Sequence, residues 1–207
     1  GEPLAPGPRA TGQFDTPNTN VLGHAGQTWA MVEAGGNPVR IDEELNTIAH
    51  DPFGGTLKGS FTAHPHLDPE TGEMHAICYD GQDQAMIRHV VVDRNGKVRR
   101  EEPIAVQDGP SIHDCMITKS YAIILDLPVT FSMKRLLAVH VFPYQWNPDH
   151  KARIGLLPRE ANITGIFLTG EREYRTVAID QQRTAEVGGW LPDGQGLGGW
   201  GIDAVHA

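Results

Sequence analysis

The sequence predicts an all-β fold of the sandwich, barrel or propeller kind, on three observations. Short runs rich in β-branched and aromatic residues recur along the chain, they are separated by Gly, Pro, Asn or Asp, and no amphipathic stretch of ten residues or more offers a helix. With 24 Gly and 15 Pro in 207 residues the chain has ample turn material, and 39% hydrophobic residues suit a globular core.

The expected strands follow one another in order: "QTWAMVEAG" (27–35), "MHAICYD" (74–80), "AMIRHVVVD" (85–93), "SIHDCMITKS" (111–120), "YAIILDLPV" (121–129), "LLAVHVF" (136–142) and "ARIGLLP" (152–158). Between them lie turn signals. "DRNGKV" at 93–98 carries the Asn-Gly pair of a tight hairpin, "DPETGE" at 68–73 has a turn former at nearly every position, and "TKSY" at 118–121 is a third tight connection. The Asp68 side chain is expected to bond the backbone amides that follow it, and Asp114 to cap a turn. From Gly188 onward, glycine replaces alternation, so residues 1–187 read as one β domain and 188–207 as a poorly ordered tail.

The formal net charge of -9 and the answering of Arg99 and Arg100 by Glu101 and Glu102 argue against a nucleic-acid partner. The opening "GEPLAPGPRATGQFDTPNTN" has neither the basic start nor the apolar run of a signal peptide, and reads as the beginning of an excised or incomplete piece. Cys78 and Cys115, both inside apolar runs, read as reduced core thiols of a cytoplasmic protein.

Ten histidines remain as candidate ligands. His75, His89 and His140 fall within strand-like runs, His150 in a turn, and His24 and His50 in loops without spacing signals. His64 in "TAHP" and His113 in "SIHD" differ, because each sits where a strand meets a turn among small or polar neighbours. A neutral imidazole there is a natural metal ligand, and its second nitrogen calls for a carboxylate or carbonyl partner. A more remote reading is an all-β metal hydrolase in which Asp68 or Asp114 joins these histidines.

"FTAHPHLDPETGEMHAICYD" followed by "SIHDCMITKSYAIILDLPVTFS" resembles the paired signatures of the carotenoid cleavage oxygenases, a family that includes retinoid isomerohydrolase and lignostilbene dioxygenases. The likeness extends through "FDTPNTNVLGHAGQTWAMVEAGGNPVRIDEELNT" and "GGTLKGSFTAHP" to "ARIGLLPRE", roughly residues 12 to 160. It implies part of a seven-bladed β-propeller, with three to four blades represented. It also implies that His64 and His113 are two of four histidines holding Fe(II), with Glu33 of "AMVEAGG" as the carboxylate partner of His113.

The activity implied is oxidative scission, with O2, of a C=C bond in a carotenoid, apocarotenoid or stilbene. Lignostilbene-type members carry a lysine before that glutamate, where this chain has Val32, which favours an apolar substrate. The family's later iron histidines have no match here, and His206 lacks their neighbours. A truncated, iron-free propeller fragment is therefore the alternative expectation.

Overall fold

Side chains that alternate between two buried faces make strands rather than helices here, and β6 below is the clearest instance. The computed structural model describes residues 16–81, 83–138 and 142–159, together with the strand backbones at 166–169, 177–180 and 183–185. The chain divides into two units, Gly1–Asp114 and Cys115–Ala207.

The first unit holds two four-stranded antiparallel sheets, each running in chain order. One comprises β1 (Asn20–His24), β2 (Gln27–Met31), β3 (Val39–Ile41) and β4 (Thr47–His50); the other comprises β5 (His66–Leu67), β6 (Met74–Asp80), β7 (Asp83–Val92) and β8 (Val98–Ala105). A four-stranded meander of this kind is the blade of a β-propeller. In β6, Met74, Ala76 and Cys78 face one side and His75, Ile77 and Tyr79 the other, and all six are buried.

The core lies between the two sheets. Trp29 and Met31 of β2 meet Met74, Ala76 and Cys78 of β6 and Val90 and Val92 of β7, with Phe53, Leu57 and Phe61 from the long connection packed among them. Trp29 and Phe53 have ring centroids 4.8 Å apart, and Phe53 and Phe61 4.9 Å. Each fully buried phenylalanine contributes about 1.5–3 kcal/mol of burial free energy. The aromatic chain therefore anchors the connection that leads directly into His64.

The turns form as the sequence implies. Asp68 Oδ1 accepts from the Glu70 amide at 2.8 Å, and the Asp68 and Gly72 amides close the "DPETGE" loop. In the β7–β8 hairpin, Asp93 Oδ1 accepts from the Asn95 and Lys97 amides at 2.8 and 2.9 Å. Partial burial resists ionisation of Asp93, but these amide hydrogen bonds outweigh it and hold the carboxyl below its ordinary 3.8. The associated stability is complete above that ordinary value and is lost as pH falls through the lower folded value. An Asp93→Asn variant is expected to show a shallower loss of thermal stability over that acid range.

Gly96 completes this hairpin at φ +74°, and a Cβ there would stand 3.1 Å from Ala25 Cβ. Gly96→Ala is expected to cost about 1–2 kcal/mol, the penalty of the left-handed conformation for an L-residue. A fall in the urea midpoint at unchanged slope checks it.

The second unit contains β9 (Cys115–Ile117), β10 (Tyr121–Asp126), β11 (Val129–Phe131), α1 (Met133–Leu137), β12 (Tyr144–Trp146), β13 (Arg153–Pro158), β14 (Ile166–Thr169), β15 (Val177–Asp180) and β16 (Arg183–Ala185). One sheet has the order β14-β13-β10-β9, and β11-β12 and β15-β16 are hairpins. The "TKSY" turn closes β9 onto β10 through the Thr118 amide and Tyr121 carbonyl at 2.8 Å.

Several local expectations are corrected. Leu136 and Leu137 of "LLAVHVF" belong to α1, because Ser132 Oγ caps the Arg135 amide and starts a helical turn. His24 and His50 end strands β1 and β4 rather than lying in loops. His150 does close the Asn147–His150 turn, as expected, and within it is buried against Asp126. His140 and the 188–207 tail lie outside the described residues. Both cysteines are buried thiols outside any disulfide, and no helix among the described residues is long and apolar enough to cross a membrane.

Candidate metal centre

The segment Phe61–His64 is largely buried yet belongs to no strand, so its backbone groups need partners other than a sheet ladder. Side chains from the open end of the β1–β2 hairpin supply them. β2 ends at Met31, and the chain then bends through Glu33, with Ala34 at φ +57° and Gly35 at φ +131°. That bend sends the Glu33 carboxylate toward the segment. Its Oε1 accepts from the Ala63 amide at 2.6 Å and from the Thr62 hydroxyl at 2.7 Å, while the Phe61 amide donates to the Gly36 carbonyl at 2.8 Å.

His64 follows at once. Its ring stands 4.4 Å, centroid to centroid, from that of His113, with 34° between the planes. One of the two residues lies just before β5 and the other in the extended segment after β8. The structure thus brings together the two histidines singled out in the sequence. His64 Nε2 is 3.8 Å from Glu33 Oε1.

Two buried polar atoms here lack hydrogen-bond partners among the described residues, Glu33 Oε2 and His64 Nε2. Leaving such groups unsatisfied costs about 1–3 kcal/mol each, and more when charged. An anionic oxygen and an imidazole nitrogen that are both unanswered form a set complementary to a cation. Imidazole nitrogens are the donor type that suits Fe, Zn, Cu and Ni, and rings at this separation can both direct a nitrogen at one ion with bonds of about 2.1 Å.

Glu33 makes its contacts with Thr62, Ala63 and His64. The expected pairing with His113 is not among these contacts; the carboxylate is held on the Ala63 side. His113 is exposed within this unit, and its ring lies against that of His64. Asp114, expected as a turn cap, instead lies 2.8 Å from His66 Nε2. Asp68 is engaged in its own turn, and His75 and His89 are fully buried against each other, with Nδ1 and Nε2 3.2 Å apart.

The model of the retinal pigment epithelial membrane protein family matches residues 5–178. The chain belongs to this family, the carotenoid cleavage oxygenases. It is 35% identical over 200 residues to a carotenoid cleavage oxygenase of Mycobacterium tuberculosis, a match that covers 77% of this chain and 40% of that protein. Among solved structures, it is similar to Pseudomonas brassicacearum lignostilbene dioxygenase, at a TM-score of 0.65 and 29% identity over 73% of this chain and 32% of that one. It is also similar to cobalt-substituted Synechocystis apocarotenoid oxygenase, at a TM-score of 0.60 and 28% identity over 74% and 34% of the two chains. The chain thus spans less than half the length of these relatives.

Within this carotenoid-oxygenase unit, the roles of Thr62 and Asn20 come from the structure alone. Thr62 is 1% exposed, and its hydroxyl both donates to Glu33 and accepts from the His64 amide at 3.3 Å. The one signal for it in the sequence is a hydroxyl residue two places before a candidate ligand. Asn20 donates from Nδ2 to the Ala63 carbonyl at 2.7 Å, across 43 residues, and no local spacing announces it.

Proposed function

We propose that this chain carries one half of a non-haem Fe(II) centre, with His64 and His113 as ligands, in a dioxygenase that cleaves a C=C bond of an apolar carotenoid or apocarotenoid. The observation that carries the reading is the pair of imidazoles 4.4 Å apart, next to a buried His64 nitrogen and a Glu33 oxygen that both lack partners. When bound, iron(II) supplies the activation of O2 beside the alkene. One oxygen atom ends in each of the two carbonyl products, so the overall reaction needs no external reductant.

The chain's own residues have the task of holding geometry. Neutral histidines leave the charge of the ion uncompensated, and Glu33, tied down on one oxygen by Thr62 and Ala63, presents the other as a fixed negative neighbour. The long connection anchored by Phe53 and Phe61 keeps the His64 backbone rigid. Val32, in place of a lysine that could meet a phenol, supports an apolar substrate over a hydroxystilbene.

The test is iron per chain after anaerobic purification with Fe(II), beside a His64→Ala, His113→Ala double variant. Bound iron that disappears in the double variant supports the reading. Equal iron in both, or none in the parent chain, rejects these two residues as a working centre and favours the iron-free fragment.

A further inference from the structure

We infer that Asn20 is a positioning residue for His64, acting through the peptide group that joins Ala63 to it; the inference rests on the reading of His64 as a metal ligand. Ala63 is fully buried and lies outside every strand, so its amide and its carbonyl have no ladder partner. Both are held by side chains from one source. Glu33 takes the N–H at 2.6 Å, and Asn20 gives Nδ2 to the C=O at 2.7 Å.

These two side chains start from neighbouring points. Asn20 is the first residue of β1 and pairs with Met31, the last of β2, two residues before Glu33. The Thr19 amide also donates to the Met31 carbonyl at 3.1 Å. The hairpin end is therefore one rigid clamp with two jaws closed on a single residue. The Glu33 jaw fixes the peptide plane before Ala63, and the Asn20 jaw fixes the plane after it.

The plane after Ala63 carries the His64 nitrogen, so its orientation sets where the His64 Cα–Cβ bond points. Metal centres are sensitive at this level. Partners that orient ligands typically change metal affinity by about 10–100-fold when removed. Asparagine suits the position because it donates, whereas the substitution Asn20→Asp sets a carboxylate oxygen against the Ala63 carbonyl.

The experiment is a Co(II) titration of the chain, followed by the visible ligand-field absorption, for the parent, Asn20→Asp, Asn20→Ala and His64→Ala. Thr56→Ala is the stability control. It removes hydrogen bonds to the Val98 amide and the Phe53 carbonyl and leaves the Ala63 clamp intact. The expected result is Co(II) absorption in the parent that His64→Ala abolishes. Both Asn20 variants weaken binding about tenfold or more and shift the absorption bands, while Thr56→Ala lowers the thermal midpoint with unchanged bands and affinity.

Asn20 variants that match the parent in affinity and spectrum, beside a dead His64→Ala, overturn the role of Asn20 and leave the metal reading standing. Thr56→Ala changes equal to those of Asn20→Asp also overturn it, since the effect is then one of general stability. A parent chain that takes up no Co(II) overturns both.

Discussion

Glu33→Ala is expected to lower the unfolding free energy of the first unit by about 2–6 kcal/mol and to weaken metal binding by about 10–100-fold. The stability term comes from two donors, the Ala63 amide and the Thr62 hydroxyl, that share Glu33 Oε1 in a region closed to water. Each donor left unsatisfied costs roughly 1–3 kcal/mol, and replacement water has no room unless the segment moves. Glu33→Gln separates the two effects. Its amide oxygen still accepts from both donors, so most stability is expected to survive, although neutral hydrogen bonds are weaker than charge-assisted ones. The fixed negative charge is gone, so the loss in metal affinity is expected to persist. Urea midpoints and Co(II) titrations of the two variants check this pair of outcomes. A glutamine variant as unstable as the alanine one would mean that charge, not hydrogen-bond geometry, holds the segment.

Legibility follows the range of the interaction. The β7–β8 hairpin is readable because Asp93, Asn95 and Gly96 are close in the chain and the turn closes on itself. The β6 run and the His89–Val92 end of β7 are readable because burial on both faces favours segments dense in apolar residues. Strands β3, β4, β11 and β12 are not. They are three or four residues long, and their sequences alternate too briefly to stand out against the flanking loops. The "LLAVHVF" run misleads because its β-branched and leucine composition suggests a strand, whereas the capping Ser132 just before it decides for a helical turn.

At the site, His64 and His113 stand out in the sequence by their settings and by resemblance, and the structure places their rings 4.4 Å apart. The direction of Glu33 is not legible. It depends on a bend in which a non-glycine residue, Ala34, adopts φ +57°, and nothing in "EAGG" says which of two histidines the carboxylate then faces. Asn20 is illegible for a related reason. Its acceptor is a backbone carbonyl, and a carbonyl has no residue type for a sequence pattern to reveal.

In the second unit, Asp126→Ala is expected to bring the sheet close to unfolding. Asp126 is fully buried at the end of β10; Oδ1 lies 2.8 Å from His150 Nε2, and Oδ2 accepts from Arg153 Nε at 2.8 Å. Truncating one partner of a buried pair costs about 3–5 kcal/mol, against a whole-domain stability of about 5–15 kcal/mol. Hydrogen exchange of β10 and β13 amides is the direct readout, with protection expected to collapse in both strands together. An Asp126→Leu, Arg153→Met double variant should recover part of the loss, because apolar replacement of a buried ion pair is often neutral, although His150 still loses its contact with Oδ1. What it should not recover is register. Asp126 and Arg153 are cross-strand partners, while Leu125 and Ile154, the next pair, point their side chains toward the exposed face. A slip of one residue would exchange the two faces, and in the native sequence it would drag a paired charge out of its partner's reach. The double variant loses that restraint, so a recovered urea midpoint with heterogeneous β10–β13 amide signals would identify the ion pair as a device for alignment rather than for stability.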